Sequence, residues 1–253
     1  MFVSGLSSLE NCAGMDREQE SRSQTRSSRA ARRRPDAPPP KVEQIRPRSG
    51  LTRAEVIANQ RARIFDGFAA ALAYHGYDDT KVADIVELAG VSRATFYGLF
   101  ESKELCFDAA YEDGSERLAE AVEEGARGER GWSDQLSAGL SAGLDFLAAD
   151  PPLAHLLFVE ALAAARPARL EHERSLERLA EVLRPASGEE KEDVVSAETA
   201  RMLAGGLASH ISGRILAGEA EYLPELHDAL IQYILAPSLA ALRTTDERRA
   251  AAL

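Results

Sequence analysis

Several things are scarce in this sequence, and each scarcity excludes a class of protein. Aromatic residues make up 6% of 253 residues, and β-branched residues rarely alternate with polar ones. A sheet-rich fold is therefore not expected, and the abundance of Ala and Leu points to an all-α chain. No run of about eighteen apolar residues is present, so no transmembrane helix and no membrane partner are expected. The opening MFVSGLSSLE is weakly apolar and lacks a basic start, unlike a secretory signal; Met15 is an alternative start. Cys12 and Cys106 are far apart and fit no metal-ligand spacing. A reduced, cytoplasmic protein with one buried thiol is the expectation. The five histidines, His75, His155, His172, His210 and His227, form no His-x-x-x-His pair. Glycine-rich phosphate loops, nucleophile elbows and paired cysteines are missing as well. No enzyme, cofactor or metal site is expected.

Positive charge is scarce too, and unevenly placed. The net charge is −11. Residues 1–50 carry ten Lys or Arg against six acids, residues 51–105 six against eight, and residues 106–253 fourteen against twenty-seven. The acid lies in the C-terminal part, where it favours solubility and repels non-specific nucleic acid. Residues 1–50, rich in Ser, Arg and Pro, are expected to be a disordered basic tail. In it a basic cluster, Arg29 to Arg34, precedes Pro35 and Pro38 to Pro40. It is either a solvated tail or an arm that adds phosphate contacts.

Thr80 to Lys103, TKVADIVELAGVSRATFYGLFESK, organises the rest. Thr80 is a candidate N-cap, and Val82, Ala83, Ile85, Val86 and Ala89 recur at helical spacing. Gly90 suits a left-handed stop and Val91 is apolar in the corner. Ser92 caps a second, very short helix that ends near Phe100. Helix, glycine corner and capped helix make a helix-turn-helix, whose second helix enters the DNA major groove. The outer face of that helix presents Ser92, Arg93, Thr95 and Tyr97 with no acid. Arg reads guanine edges, Thr offers a hydroxyl or a methyl, and Ser and Tyr reach phosphates.

Before it, Thr52 and Glu55 form a capping-box pattern opening a helix that Gly76 ends. After it, Ser102 is expected to cap a helix from about Lys103 to Glu124, with Ala119 and Val122 on its apolar face. Lys103 is a cation where the helix dipole disfavours one, a cost that an approaching phosphate offsets.

Residues 52–112 resemble the DNA-binding domain of the tetracycline-repressor (TetR/AcrR-type) family of bacterial regulators. The resemblance rests on Thr80, Ala89-Gly90-Val91-Ser92, Thr95-Phe96-Tyr97, Phe100 and Ser102-Lys103-Glu104-Leu105. It implies that Thr80, Tyr97 and Lys103 hold phosphates, while Arg93, Ala94 and Thr95 face bases. The sequence departs from the family at Ala94, often Gly, and at Gly98-Leu99, where a polar or aromatic residue and His or Tyr are common. Leu99 therefore lacks the usual phosphate contact.

The expected organisation is a tail (1–50), a three-helix helix-turn-helix domain (51–102), a helical ligand-binding and dimerisation domain (103–243) and a second tail (244–253). Five helices are expected after residue 131. They run from Trp132 to about Ala149, from Pro152 to about Ala165, after Pro167 to about Leu183, from Val194 to about Ala217, and from Leu223 to about Arg243 with a bend at Pro237. A polar loop is expected at 185–192. The helix near 194–217 is crowded with Ala, Gly and Ser, which suits either internal packing or a partner; the resemblance implies a homodimer through it and the helix near 223–243. It also implies a pocket for an unknown small-molecule inducer. Candidate lining residues are Tyr111, Trp132, Phe146, His155, Phe158 and Glu160, each equally suited to a core. The function expected is a dimeric repressor released from a palindromic double-stranded DNA operator by a small molecule. The alternative is an all-helical ligand- or protein-binding module whose helix-turn-helix no longer reads DNA.

Overall fold

The computed structural model describes residues 52–161, 166–184 and 195–236. The basic tail with Cys12, the expected loop at 185–192, the bend at Pro237 and the second tail lie outside the described residues. Among the described residues every regular element is a helix.

α1 (Arg53–His75) begins at a closed capping box. The Thr52 hydroxyl accepts from Glu55 N–H, and the Glu55 carboxylate accepts from Thr52 N–H at 2.7 Å. Such a cap contributes about 1 kcal/mol. Gly76 ends α1 at φ 75°, ψ 167°, so its φ is positive but it is not the left-handed helical stop expected. α2 (Val82–Ala89) ends at Gly90, which is left-handed at φ 62°, ψ 37°, a conformation disfavoured for any residue with a Cβ. α3 (Arg93–Leu99) follows at once, capped by Ser92, whose hydroxyl accepts from Thr95 N–H at 3.0 Å.

These three helices close over Ile64, Phe68, Leu72, Ile85 and Phe96, all fully buried. Each contributes roughly 1.5–3 kcal/mol by burial. Gly67 makes the approach of α1 to α2 possible, because a Cβ there would stand 2.6 Å from Ala89 N.

α4 (Lys103–Ala126) starts at Ser102, whose hydroxyl accepts from Leu105 N–H. Its Phe107 joins the same core, edge-on to Phe68 and Tyr77. α5 (Trp132–Ala149) lies along α4. Glycines decide that contact: a Cβ at Gly143 would come 2.9 Å from Val122, and one at Gly125 would overlap Ala142. Its α4 side is Leu118 and Val122, both half-buried; Ala119, expected on this face, is exposed. The chain then bends by 108°. Asp150 caps α6 (Pro151–His155), which opens into a π-helical turn (Leu156–Glu160) rather than continuing as one regular helix. α7 (Arg166–Val182) and α8 (Ala197–Leu216) follow, the second capped by Ser196. Where one long last helix was expected, a 3-10 turn (Ala220–Leu226) precedes α9 (227–236). Pro224 inside that turn lacks the N–H a regular helix needs.

Candidate nucleic-acid interface and its supports

The short helix α3 presents a ridge of donors to solvent. Arg93 and Tyr97, one turn apart, are exposed, Tyr97 by 55%. Ala94 and Gly98 form the adjacent row, also exposed. Ser92 is exposed and Thr95 half-exposed; their hydroxyls lie 2.9 Å apart. Phe96 and Phe100 point the other way into the core, tilted against each other at 5.8 Å. The helix is therefore anchored by aromatics on one side and left open on the other. Leu99 is half-buried against the core, so the position at which the sequence departs from the pattern it resembles faces inward. A Cβ on Gly98 would meet nothing within 4 Å.

The corner before α3 is held from behind. Arg63 of α1 donates from Nη2 to Gly90 O at 2.8 Å. Nothing in the local pattern marks Arg63 for this role, since the bond joins residues 27 positions apart in sequence.

Two expected phosphate contacts stand differently. Thr80 is 2% exposed, and its hydroxyl donates to Gly76 O at 2.7 Å. Its N–H also bonds Gly76 O. Thr80 therefore does not cap α2 and has no donor to offer a phosphate. The Asp84 carboxylate serves the start of α2 instead, accepting from Lys81 N–H at 2.9 Å. The Lys103 ammonium donates to Tyr77 O at 2.8 Å and Thr80 O at 3.1 Å, and stands 4.3 Å from the Tyr77 ring centre. Those carbonyls and that ring offset the unfavourable dipole at the start of α4. One of its three donors remains for another partner.

Tyr77 is held from a third side. Glu160, 4% exposed at the end of the π-helical turn, accepts from Tyr77 N–H at 2.9 Å. His155 Nδ1 lies 3.7 Å from the other carboxylate oxygen. Burial and the acids Glu104, Asp108 and Asp78 push the Tyr77 hydroxyl up to about 12.

The six candidate pocket residues do not come together as one lining. Tyr111 is buried and bonds His172 Nδ1 at 3.1 Å. Burial holds the His172 imidazole below its ordinary value, which favours the neutral ring beside the Tyr111 hydroxyl. Trp132 donates to Val182 O across the α5–α7 contact. His155 and Glu160 lie beside each other, and Phe158 is half-buried, its carbonyl 2.8 Å from Ser212 Oγ, which is as close to Ala208 O. Phe146 lines a shallow cleft of about 600 Å³ between α4 and α5, with Arg117 over its ring. Glu120, Glu123 and Glu124 share that cleft with Arg117 and Arg127. His172 is not among the candidate lining residues, because a histidine in a charged helical stretch carries no mark of burial.

Residues 64–110 match the family described as bacterial regulatory proteins, tetR family. No curated protein matches the chain. Its fold is similar to the fatty acid degradation regulator FadR of Bacillus halodurans (TM-score 0.61, 23% identity, 70% of this chain and 94% of that one). It is similar to FadR of Bacillus subtilis in complex with stearoyl-CoA (TM-score 0.60, 22% identity, 70% and 98%). A TetR family transcription regulator from Marinobacter aquaeolei VT8 shares the fold too (TM-score 0.58, 18% identity, 73% and 97%). The matched segment runs from the second half of α1 through α2, the glycine corner and α3 to the start of α4, so this part of the chain is similar to the tetR family of bacterial regulatory proteins, and the fold around it is similar to that of these regulators.

Proposed function

We propose that the chain is a dimeric repressor that binds a palindromic DNA operator and leaves it when a small molecule binds the helices after α4. The observation that carries this is α3: a capped, acid-free helix anchored by Phe96 and Phe100, with Arg93, Ala94 and Tyr97 facing out. In this reading Arg93, Ala94 and Thr95 meet base edges, while Ser92, Tyr97 and the third donor of Lys103 meet phosphates. Thr80 supports the turn rather than the DNA. Residues 52–102 form the DNA-reading part, and the helices from α4 onward the regulatory part.

The dimer in this proposal uses α8 and α9. One face of α8 is buried through Ala200, Leu203, Ala204, Leu207, Ile211 and Ile215. The opposite face exposes Met202, Gly205, Ser209, Gly213 and Leu216. Nothing lies within 4 Å of a Cβ at Gly205 or Gly213. To read a palindrome, a dimer packed through this face must hold its two copies of α3 about 34–36 Å apart, the spacing of successive major grooves. The inducer class is mainly apolar. Stearoyl-CoA, bound by the Bacillus subtilis neighbour, is the first probe to try. The carboxylates in the α4–α5 cleft disfavour that surface for a polyanion.

The test is a mobility shift on DNA from the protein's own promoter region at low and moderate salt. Wild type should form a specific complex whose affinity falls with salt. Arg93→Ala should relax the preference at one base pair by about 1–3 kcal/mol, and Tyr97→Phe should weaken all sequences alike. An Arg93→Ala protein with an unchanged ratio of specific to scrambled binding overturns the base-reading role. The inward Leu99 and the net negative charge of residues 51–105 favour the second reading, a helix-turn-helix that no longer reads DNA. Absence of any complex at low salt would select it.

A further inference from the structure

We infer that Glu160 is a positioning residue that sets the spacing of the two DNA-reading helices. It does so by latching the π-helical turn to the backbone of Tyr77. The inference rests on the dimeric DNA-binding reading above and names how its geometry is held.

Tyr77 lies in the turn that joins α1 to α2. Its N–H is taken by Glu160 and its C=O by Lys103. Both peptide groups flanking one residue are thus held by the helices that follow the helix-turn-helix. The turn transmits this hold, because Thr80 bonds back to Gly76 and α2 starts one residue after Lys81. Rotating the turn would carry α2, and with it α3, since the left-handed Gly90 corner and its Arg63 bond leave little play between them.

Glu160 is a costly choice for a strut. A carboxylate 4% exposed loses its hydration and must recover it from specific partners. A buried apolar residue would fill the space without that cost, yet it offers no acceptor to Tyr77. The π-helical turn supplies the aim. Its wider winding shifts the register of the side chains that follow and recurs at functional positions. The same turn is tied on its far side to α8, where Ser212 Oγ lies 2.8 Å from Phe158 O. An unbroken physical path therefore runs from α8, the helix assigned to the dimer, through the π-helical turn to Tyr77 and the reading helix. Shifting the turn by a fraction of a hydrogen-bond length breaks the latch without unfolding either part, and Lys103 then holds Tyr77 alone.

A purely structural role predicts that losing the latch lowers affinity for all operators alike. A positioning role predicts that it blurs the preference for one half-site separation. The probe is a duplex selected by wild type from a random pool, then rebuilt with its half-sites moved closer and further by single base pairs. Wild type and Glu160→Gln, which keeps an amide oxygen for Tyr77 N–H, should prefer one separation about tenfold. Glu160→Leu should reduce that preference to about twofold or less. Glu160→Asp, which withdraws the carboxylate by one methylene and keeps its charge, serves if Glu160→Leu fails to fold, and should show the same loss. Hydrogen exchange of the Tyr77 amide is read in parallel and should speed up in both. A Tyr77 amide that exchanges freely while the wild-type separation preference persists overturns the inference, as does an amide unaffected by the substitutions. Wild type that selects no duplex overturns the DNA-binding reading itself, and this inference falls with it.

Discussion

Two glycines in the helix-turn-helix part have opposite reasons for being glycine. Gly67 is required by packing, since a Cβ would stand 2.6 Å from Ala89 N and 2.9 Å from Ala89 Cβ. Gly98 sits in α3 with open space around it and no positive φ. Gly67→Ala should therefore destabilise the protein by about 1–3 kcal/mol, as over-packing does. Gly98→Ala should stabilise it by up to about 1 kcal/mol through helix propensity. Urea unfolding followed by circular dichroism separates the two, and a Gly67→Ala protein as stable as wild type would refute the close approach of α1 and α2. Thr80 makes a related point. From sequence it is a capping residue, because Thr before an apolar helical run is a recurrent N-cap. In the structure its hydroxyl turns back to Gly76 O, and Asp84 serves the start of α2. Both choices satisfy the same local chemistry, and only the packing of Thr80 under α1 decides between them.

Among the elements, the α4–α7 contact carries a pH dependence. His172 of α7 is buried against Tyr111 of α4, and burial lowers its imidazole below the ordinary 6.5. The unfolded chain therefore binds this proton more readily than the folded one. The stability conferred by the neutral ring is fully present above about pH 6.5 and is lost as pH falls below it towards the folded value. The carboxyls of Asp66 and Asp108 are raised by burial and act in the opposite sense on acidification, but equally in wild type and variant. Between about pH 7.5 and 5.5, wild type should lose more unfolding free energy than His172→Gln. Equal losses in the two proteins would remove His172 from the account. The element boundaries were largely legible in advance, because Thr52, Ser92 and Ser102 mark them chemically. The π-helical turn at Leu156–Glu160 was not, since LLFVE reads as ordinary helix and its winding answers to Tyr77 and Ser212 from elsewhere in the chain.

At the level of the whole molecule, the exposed face of α8 is the surface on which the proposed dimer rests. Met202 is 62% exposed and Leu216 55%, at either end of a row with Gly205, Ser209 and Gly213. The small residues of this helix split between two uses. Ala200, Ala204 and Ala208 pack inside, Gly206 accommodates the Tyr233 ring, and Gly205 and Gly213 remain outside. A charge at the centre of a self-complementary face repels its symmetry mate. Gly205→Glu should thus give a monomer by sedimentation at micromolar concentration and weaken operator binding, with little effect on helix content. A Gly205→Glu dimer would place the interface elsewhere.

By itself the sequence determined the all-helical class, the helix-turn-helix and its family resemblance. These depend on patterns within about twenty residues: apolar spacing, a glycine corner and side-chain caps, all set by local stereochemistry. The solvent-facing ridge of α3 was legible for the same reason, as the side opposite Phe96 and Phe100. The tertiary structure alone decided which polar groups meet across the chain. Glu160 with Tyr77, Arg63 with Gly90, and Tyr111 with His172 are separated by 83, 27 and 61 residues. A buried donor or acceptor must find a partner, but local sequence does not say where in the fold that partner waits.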